Sequence, residues 1–322
     1  MYRYRYRYRY VKALAYASSA NLGPGFDVFG IALDAYYDEV ELFTIEGMNE
    51  ISIEVISDNN TTTIPTAIEE NSAGLALRTM IQDYGINDGL RVRIRKGVPA
   101  GYGLGSSAAS VVAAVRAFDA MYNLGLDDNS LVRYSALGEV ASANTVHYDN
   151  VAASMLGGFV IVRVEPFNIT RFDPPEGLVL CVATPLIQVP KGKTGVARSV
   201  LPTNVPFSAM VSNVANASML VAGFAKRDVK MIADAIRDSV VEPARKHLIP
   251  YYDDIKSNAL SNGALGVTIS GAGPSILAVT DSRDKAYGIA DGIEHIYSSI
   301  GVRCSVKVCG IAEGAKVIEC ID

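Results

Sequence analysis

Lys96-Gly-Val-Pro-Ala-Gly-Tyr-Gly-Leu-Gly-Ser-Ser-Ala-Ala-Ser110 decides how the chain is read. Ahead of it, Leu90, Val92 and Ile94 alternate with Arg91, Arg93 and Arg95, the period-2 pattern of a strand. Behind it, Ala108 to Tyr122 is rich in Ala and Val, with only Arg116 and Asp119 charged, which predicts a largely buried helix. Gly101, Gly103 and Gly105 lie between and permit backbone approaches that a Cβ would block. A glycine-rich loop running into a helix start presents unpaired N–H groups and the positive end of the helix dipole. That is an anion site, most often one for phosphate. A Walker A loop would need Gly-Lys-Ser/Thr, but Gly105 is followed by Ser106-Ser107. A Rossmann loop would need glycine where Ser106 stands.

The chain has 322 residues, enough for two domains, and its 49% hydrophobic and 20% charged content is that of a globular protein. A net charge of −5 gives no basic field to recruit nucleic acid. Cys181, Cys304, Cys309 and Cys320 form no C-x-x-C pair, so reduced thiols in a cytoplasmic protein are expected. The apolar stretch from Val151 to Val162 is too short and interrupted to span a bilayer, and Ala13 to Ala17 is too short for a signal peptide. No membrane contact is expected. The alternating Tyr2 to Tyr10 repeat reads as a frayed extension, with an edge strand or a basic aromatic arm as alternatives.

Working outward, Glu39 to Ile45 and Ile51 to Ile56 alternate as strands of an antiparallel sheet. Asn71 opens a helix through Met80 and suits an N-cap. Asp127 to Ser130 starts a helix over Leu131 to Ala143 that carries Glu139, by itself a solvated-face residue. His147 is read as a hydrogen-bonding group rather than a metal ligand. A polar, proline-containing stretch near Phe167 to Pro175 marks a boundary, dividing the chain into 1–165 and 166–322. Beyond it the pattern gives a strand (Leu178 to Ala183) and helices at Ser208 to Ala225, Val229 to Val241 and Tyr252 to Leu260. Strands around Gly266 to Val279, a helix from Asp284 to Ser299 and two last strands (Val302 to Cys309, Lys316 to Cys320) complete an α+β reading.

Three motifs carry a family resemblance. Pro99-x-x-x-Gly-Leu-Gly-Ser-Ser-Ala-Ala109 resembles the phosphate loop of the GHMP kinases. Ser19 through Asp27 (S-A-N-L-G-P-G-F-D) resembles the first motif of the homoserine-kinase branch, and Thr268-Ile-Ser-Gly-Ala-Gly-Pro-Ser275 resembles the third GHMP motif. The resemblance implies a two-domain GHMP kinase fold, with an N-terminal domain like ribosomal protein S5 domain 2 and a ferredoxin-like C-terminal domain. It implies ATP and Mg²⁺ as cofactors, L-homoserine as substrate and often a homodimer.

Residue by residue, the resemblance puts the nucleotide against Asn71, Lys96, Pro99, Gly101, Gly103, Leu104, Gly105, Ser106, Ser107 and Ala108. Ser107 and Glu139 would hold Mg²⁺. Asn21, Asp27, Asn150, Arg198, Arg245, Gly271 and Gly273 would surround the amino acid. In that set Asp27 receives the ammonium, Arg198 and Arg245 the carboxylate, and Asn150 the attacking hydroxyl. Asn150 cannot take a proton near neutrality, so no general base is expected. Alignment and charge stabilisation would carry the rate. The alternatives are another GHMP small-molecule kinase, for mevalonate or shikimate, and an inactive GHMP-fold binding protein.

Overall fold

The computed structural model describes residues 7–46, 50–57, 64–143, 147–190 and 192–322. The first sheet begins with β1 (Tyr10–Asn21) and β2 (Gly25–Ile45), an antiparallel pair joined through the Gly23-Pro24-Gly25 turn. β3 (Ile51–Ser57) follows, then α1 (Ser72–Tyr84), β4 (Gly89–Lys96), α2 (Ser106–Tyr122), α3 (Asp128–Ala143) and α4 (Tyr148–Leu156). β5 (Phe159–Arg163) and β6 (Asn168–Phe172) form a hairpin on β2. β2 pairs with β4 antiparallel, but β3 joins β4 in parallel. The antiparallel arrangement expected for β3 is therefore corrected: α1 lies in the β3–β4 crossover, and such a crossover returns the chain in the same direction.

α1, α2 and α4 cover one face of this sheet, and α3 packs on these helices from outside. The core between them is filled by Val40, Leu42, Leu77, Met80, Val92, Ile94, Val111, Val112, Val115 and Phe118. α2 is buried almost throughout, as its Ala/Val sequence predicts.

The second sheet is four-stranded and antiparallel, in the order β10–β7–β9–β8. It comprises β7 (Val179–Pro185), β8 (Gly266–Ile269), β9 (Ile276–Thr280) and β10 (Cys304–Cys309). In local order this is 4-1-3-2, with helices between the first two and the last two strands, a ferredoxin-like arrangement. The helices are α5 (Lys193–Ser199), α6 (Phe207–Lys226), α7 (Val229–Asp234), α8 (Val241–Arg245), α9 (Tyr252–Ser261) and α10 (Arg283–Ser299). The helix expected from Val229 to Val241 breaks because the Asp238 carboxylate accepts from the N–H groups of Val240, Val241 and Glu242. That cap starts a new helix instead of continuing the old one.

The division expected at 165/166 does not coincide with the sheets. It falls inside the β5–β6 hairpin, and β11 (Lys316–Ile321) returns to pair antiparallel with β1. A shared core joins the halves: Leu22, Phe29, Leu33 and Phe159 pack with Leu180, Leu220, Phe224 and Leu277. Phe159 and Phe224 stack at 4.2 Å.

The Tyr/Arg repeat is packed where described, rather than frayed: Arg7 N donates to Met121 O and Arg9 N to Ile321 O, and Tyr10 belongs to β1. Its residues 1–6 lie outside the described residues. α6 packs on α7 through Leu220, Gly223 and Phe224 and leaves Phe207, Met210, Val211, Val214 and Met219 exposed. Among the described residues it is the one helix long and apolar enough to cross a membrane, by length and composition. Ser212, Asn213, Asn216 and Ser218 cut it into short apolar runs, which is why the sequence reading passed it over.

Candidate active site

A cleft of about 540 Å³ opens between the two sheets, within the range of small-molecule sites. Its floor is the loop from Gly101 to Gly105 and the start of α2. Gly103 (φ 78°) cannot carry a Cβ, because that atom would sit 2.3 Å from Ser270 O and 2.7 Å from Gly273 O. Gly105 is similarly closed by Ser18 Oγ at 2.1 Å. No side chain caps α2, so its first N–H groups point into the loop. This backbone surface suits an anion.

The loop is held from behind. Lys96 directs its three N–H bonds to Asp38, Ser106 O and Ser110 Oγ, all buried. Asp38 also accepts from Gly97 N and Val98 N, each at 2.9 Å. Lys96 was expected on the nucleotide; its donors are instead used inside the protein, where it fixes the loop. The Ser106 hydroxyl is likewise turned away, donating to Val98 O, so only its main-chain N–H faces an anion. Leu104 lines the cleft but is core-packed, while Pro99 and Ala108 do not line it. Asn71 caps α1, its Oδ1 accepting from Gly74 N and its Nδ2 donating to Pro65 O. Its side chain is thus committed to the cap, though it stays on the cleft wall.

Glu139 is not a solvated-face residue. Gly138 lets α3 close on Ser72 O and Val111, which turns Glu139 inward, and Ser107 Oγ donates to its Oε2 at 3.0 Å. Burial pushes its carboxyl up to about 7, against the opposing pull of Ser107 and Lys96. Two oxygen donors beside a phosphate loop fit Mg²⁺ carried on a nucleotide phosphate, which keeps waters and substrate oxygens in its shell. No cluster of three or more His, Cys, Asp or Glu side chains suited to a resident metal occurs among the described residues. His147, expected as a hydrogen-bonding group, stands 3.4 Å from Arg198.

The opposite wall gathers the amino-acid set. Asn21 (φ 75°) and Asp27 (φ 56°) hold left-handed conformations around the first-motif turn, strain of the kind found at binding sites. Asn21 Oδ1 accepts from Asp27 N, and its Nδ2 donates to Gly271 O, so it ties the first motif to the third. Arg198 donates to both oxygens of Asp27, at 2.8 and 2.9 Å. Two residues expected to hold opposite ends of one ligand thus hold each other. Arg245 is buried, donating to Ala197 O and Gly271 O, and both guanidiniums lie over the Phe26 ring. Gly271 lines the cleft, but Gly273, expected beside it, does not, its backbone packing against Gly103 instead.

Asn150 sits between the two walls, its Oδ1 accepting from Ser18 Oγ at 2.9 Å. Sequence reading gave no role to Asp149, the aspartate of the His147-x-Asp-Asn150 segment, whose buried carboxyl accepts from Asn150 N at 2.8 Å and is raised to about 7 by burial. The signal was its place beside Asn150. It also missed Lys193, which lines the cleft. Asn144 to Val146, ahead of His147, lie outside the described residues.

Residues 71–158 match the GHMP kinases N-terminal domain, and residues 220–298 the GHMP kinases C-terminal family. The chain is 36% identical over 308 residues to a homoserine kinase of Thermoplasma volcanium, covering 96% of each. It is 39% identical over 307 residues to a homoserine kinase of Saccharolobus solfataricus, covering 95% of this chain and 97% of that one. The crystal structure of homoserine kinase from Cytophaga hutchinsonii superposes with a TM-score of 0.91 at 33% identity, over 99% of this chain and all of that one. With both GHMP kinase domain models matched and this identity holding over nearly the whole chain, the chain belongs to the homoserine kinase family of the GHMP kinases.

Proposed function

We propose that the chain transfers the γ-phosphoryl group of ATP to the side-chain hydroxyl of L-homoserine, giving O-phospho-L-homoserine on the route to threonine. One observation carries the reading: a single cleft joins an anion loop to a wall bearing one carboxylate, Asp27, and two guanidiniums, Arg198 and Arg245. A zwitterionic amino acid matches that wall, its ammonium replacing Arg198 on Asp27 and its carboxylate engaging the arginines. Mevalonate and shikimate bring a carboxylate but no cation, and Asp27 would be left facing an anion.

The loop N–H groups and the start of α2 hold the nucleotide phosphates, and Ser107 with Glu139 holds Mg²⁺, which supplies charge neutralisation during transfer. Asn150 and Ser18 set the hydroxyl between the walls. The hydroxyl oxygen forms the new P–O bond as the bond to ADP breaks, and the proton leaves with the transferred phosphoryl oxygens. Asp149 positions Asn150 through its main-chain N–H. The reading includes a cytoplasmic enzyme, consistent with four free cysteines. It also includes a homodimer in which a second copy covers the exposed face of α6. The test is a coupled ADP-release assay with L-homoserine, mevalonate and shikimate at equal concentration, in which homoserine is turned over fastest.

A further inference from the structure

Lys193 opens α5 and points its ammonium at the carbonyl of Gly273. The loop from Ser270 to Ser275 accepts side-chain donors on the carbonyls of Gly271 and Gly273, and both residues close on Gly103 of the phosphate loop. The Gly271 carbonyl receives Asn21 and Arg245, the amino-acid wall. The Gly273 carbonyl leans on the phosphate loop: it and Gly273 N lie 2.7 and 2.9 Å from where a Cβ on Gly103 would stand. Ser270 Oγ closes the same junction by donating to Gly103 O at 2.8 Å. Lys193 is thereby placed at the phosphate end.

Its only hydrogen-bond partner among the described residues is a neutral carbonyl, and no carboxylate pairs with it there. Burial, and secondarily Arg245, push its ammonium down to about 7. A half-buried cation beside another cation is costly to hold without a counter-charge. An incoming polyanion removes that cost, and a four-carbon stem lets the ammonium move to meet it.

Building on the homoserine kinase reading, we propose that Lys193 is a further catalytic residue, whose ammonium leaves Gly273 O and binds the phosphoryl group in transfer.

The full chain is compared with Lys193→Gln and Lys193→Arg. Glutamine still donates to Gly273 O but carries no charge. We expect Lys193→Gln to lower kcat about a hundredfold or more, as loss of one transition-state donor does. KM for homoserine and the affinity for Mg·ADP should stay within about twofold, with Tm not lowered, and arginine should recover at least a tenth of the rate. Wild-type kcat in Lys193→Gln overturns the proposal and leaves Lys193 a loop fastener. So does a raised homoserine KM at unchanged kcat, which would move Lys193 to the carboxylate. Failure of the underlying reading is distinct: the wild-type protein would not phosphorylate homoserine.

Discussion

The two walls of the cleft are built on different principles. The phosphate wall is finished before any ligand arrives: Asp38 is fully buried, Lys96 nearly so, and every donor of that ammonium is engaged. The amino-acid wall is held by contacts that a ligand can exchange. Arg198 and Asp27 keep 31% and 41% side-chain exposure, so their pair contributes at most about 1 kcal/mol. A preformed floor suits a phosphate chain common to all ATP enzymes. An exchangeable wall suits a ligand that must bring its own two charges.

The largest effect should come from the seam between loop and metal. On the proposed reading, in which Glu139 holds Mg²⁺, Glu139→Gln removes a charged oxygen ligand, and we expect turnover to fall about a thousandfold, roughly 4 kcal/mol of transition-state stabilisation. Because burial lifts the Glu139 carboxyl to about 7, protons compete with Mg²⁺ there. As pH falls from 8 to 6 more of the carboxyl is protonated, so the wild-type Mg²⁺ requirement should rise. The variant's residual activity should lack that dependence, as steady-state rates against Mg²⁺ at each pH would reveal. Unchanged turnover at limiting Mg²⁺ would remove Glu139 from the metal.

Breaking the floor itself should cost folding rather than specificity. Lys96→Met leaves Asp38 buried without its cation, a loss of about 3–5 kcal/mol. Denaturant unfolding should register it, and Asp38→Asn in the same chain should restore part. If Lys96 instead bound nucleotide, stability would hold and KM for ATP alone would rise.

On the exchangeable wall, Arg245→Lys keeps charge but loses the guanidinium fork. With one charge-assisted hydrogen bond contributing about 1.5–3 kcal/mol, kcat/KM for homoserine should drop ten- to a hundredfold. A homoserine ester should be penalised much less. Equal penalties would make Arg245 a purely structural brace of α8.

Much of this was legible in the sequence because it is local. The strand–loop–helix around Gly101 to Gly105 is written in consecutive residues, and so is the Gly23-Pro24-Gly25 turn. Residue type was legible for Glu139, Arg198 and Arg245, through the resemblance. What stayed hidden depends on pairings across the chain. Lys96 looks like a phosphate ligand until Asp38, 58 residues earlier, is folded against it. Asn21 looks like a substrate contact until Gly271, 250 residues later, takes its amide. β3 alternates as any strand does, and only the α1 crossover makes it parallel. The α7–α8 break has no glycine or proline to announce it, only Asp238 capturing three N–H groups.

The central claim is that this wall selects a zwitterion, and substrate competition measures it most directly. With ATP and Mg²⁺ at saturation, ADP release is followed with L-homoserine, mevalonate and shikimate, each at equal concentration. Our account predicts that kcat/KM for homoserine exceeds the other two by at least a hundredfold, and that Asp27→Asn narrows the gap by weakening homoserine alone. Turnover of mevalonate or shikimate faster than homoserine would contradict it.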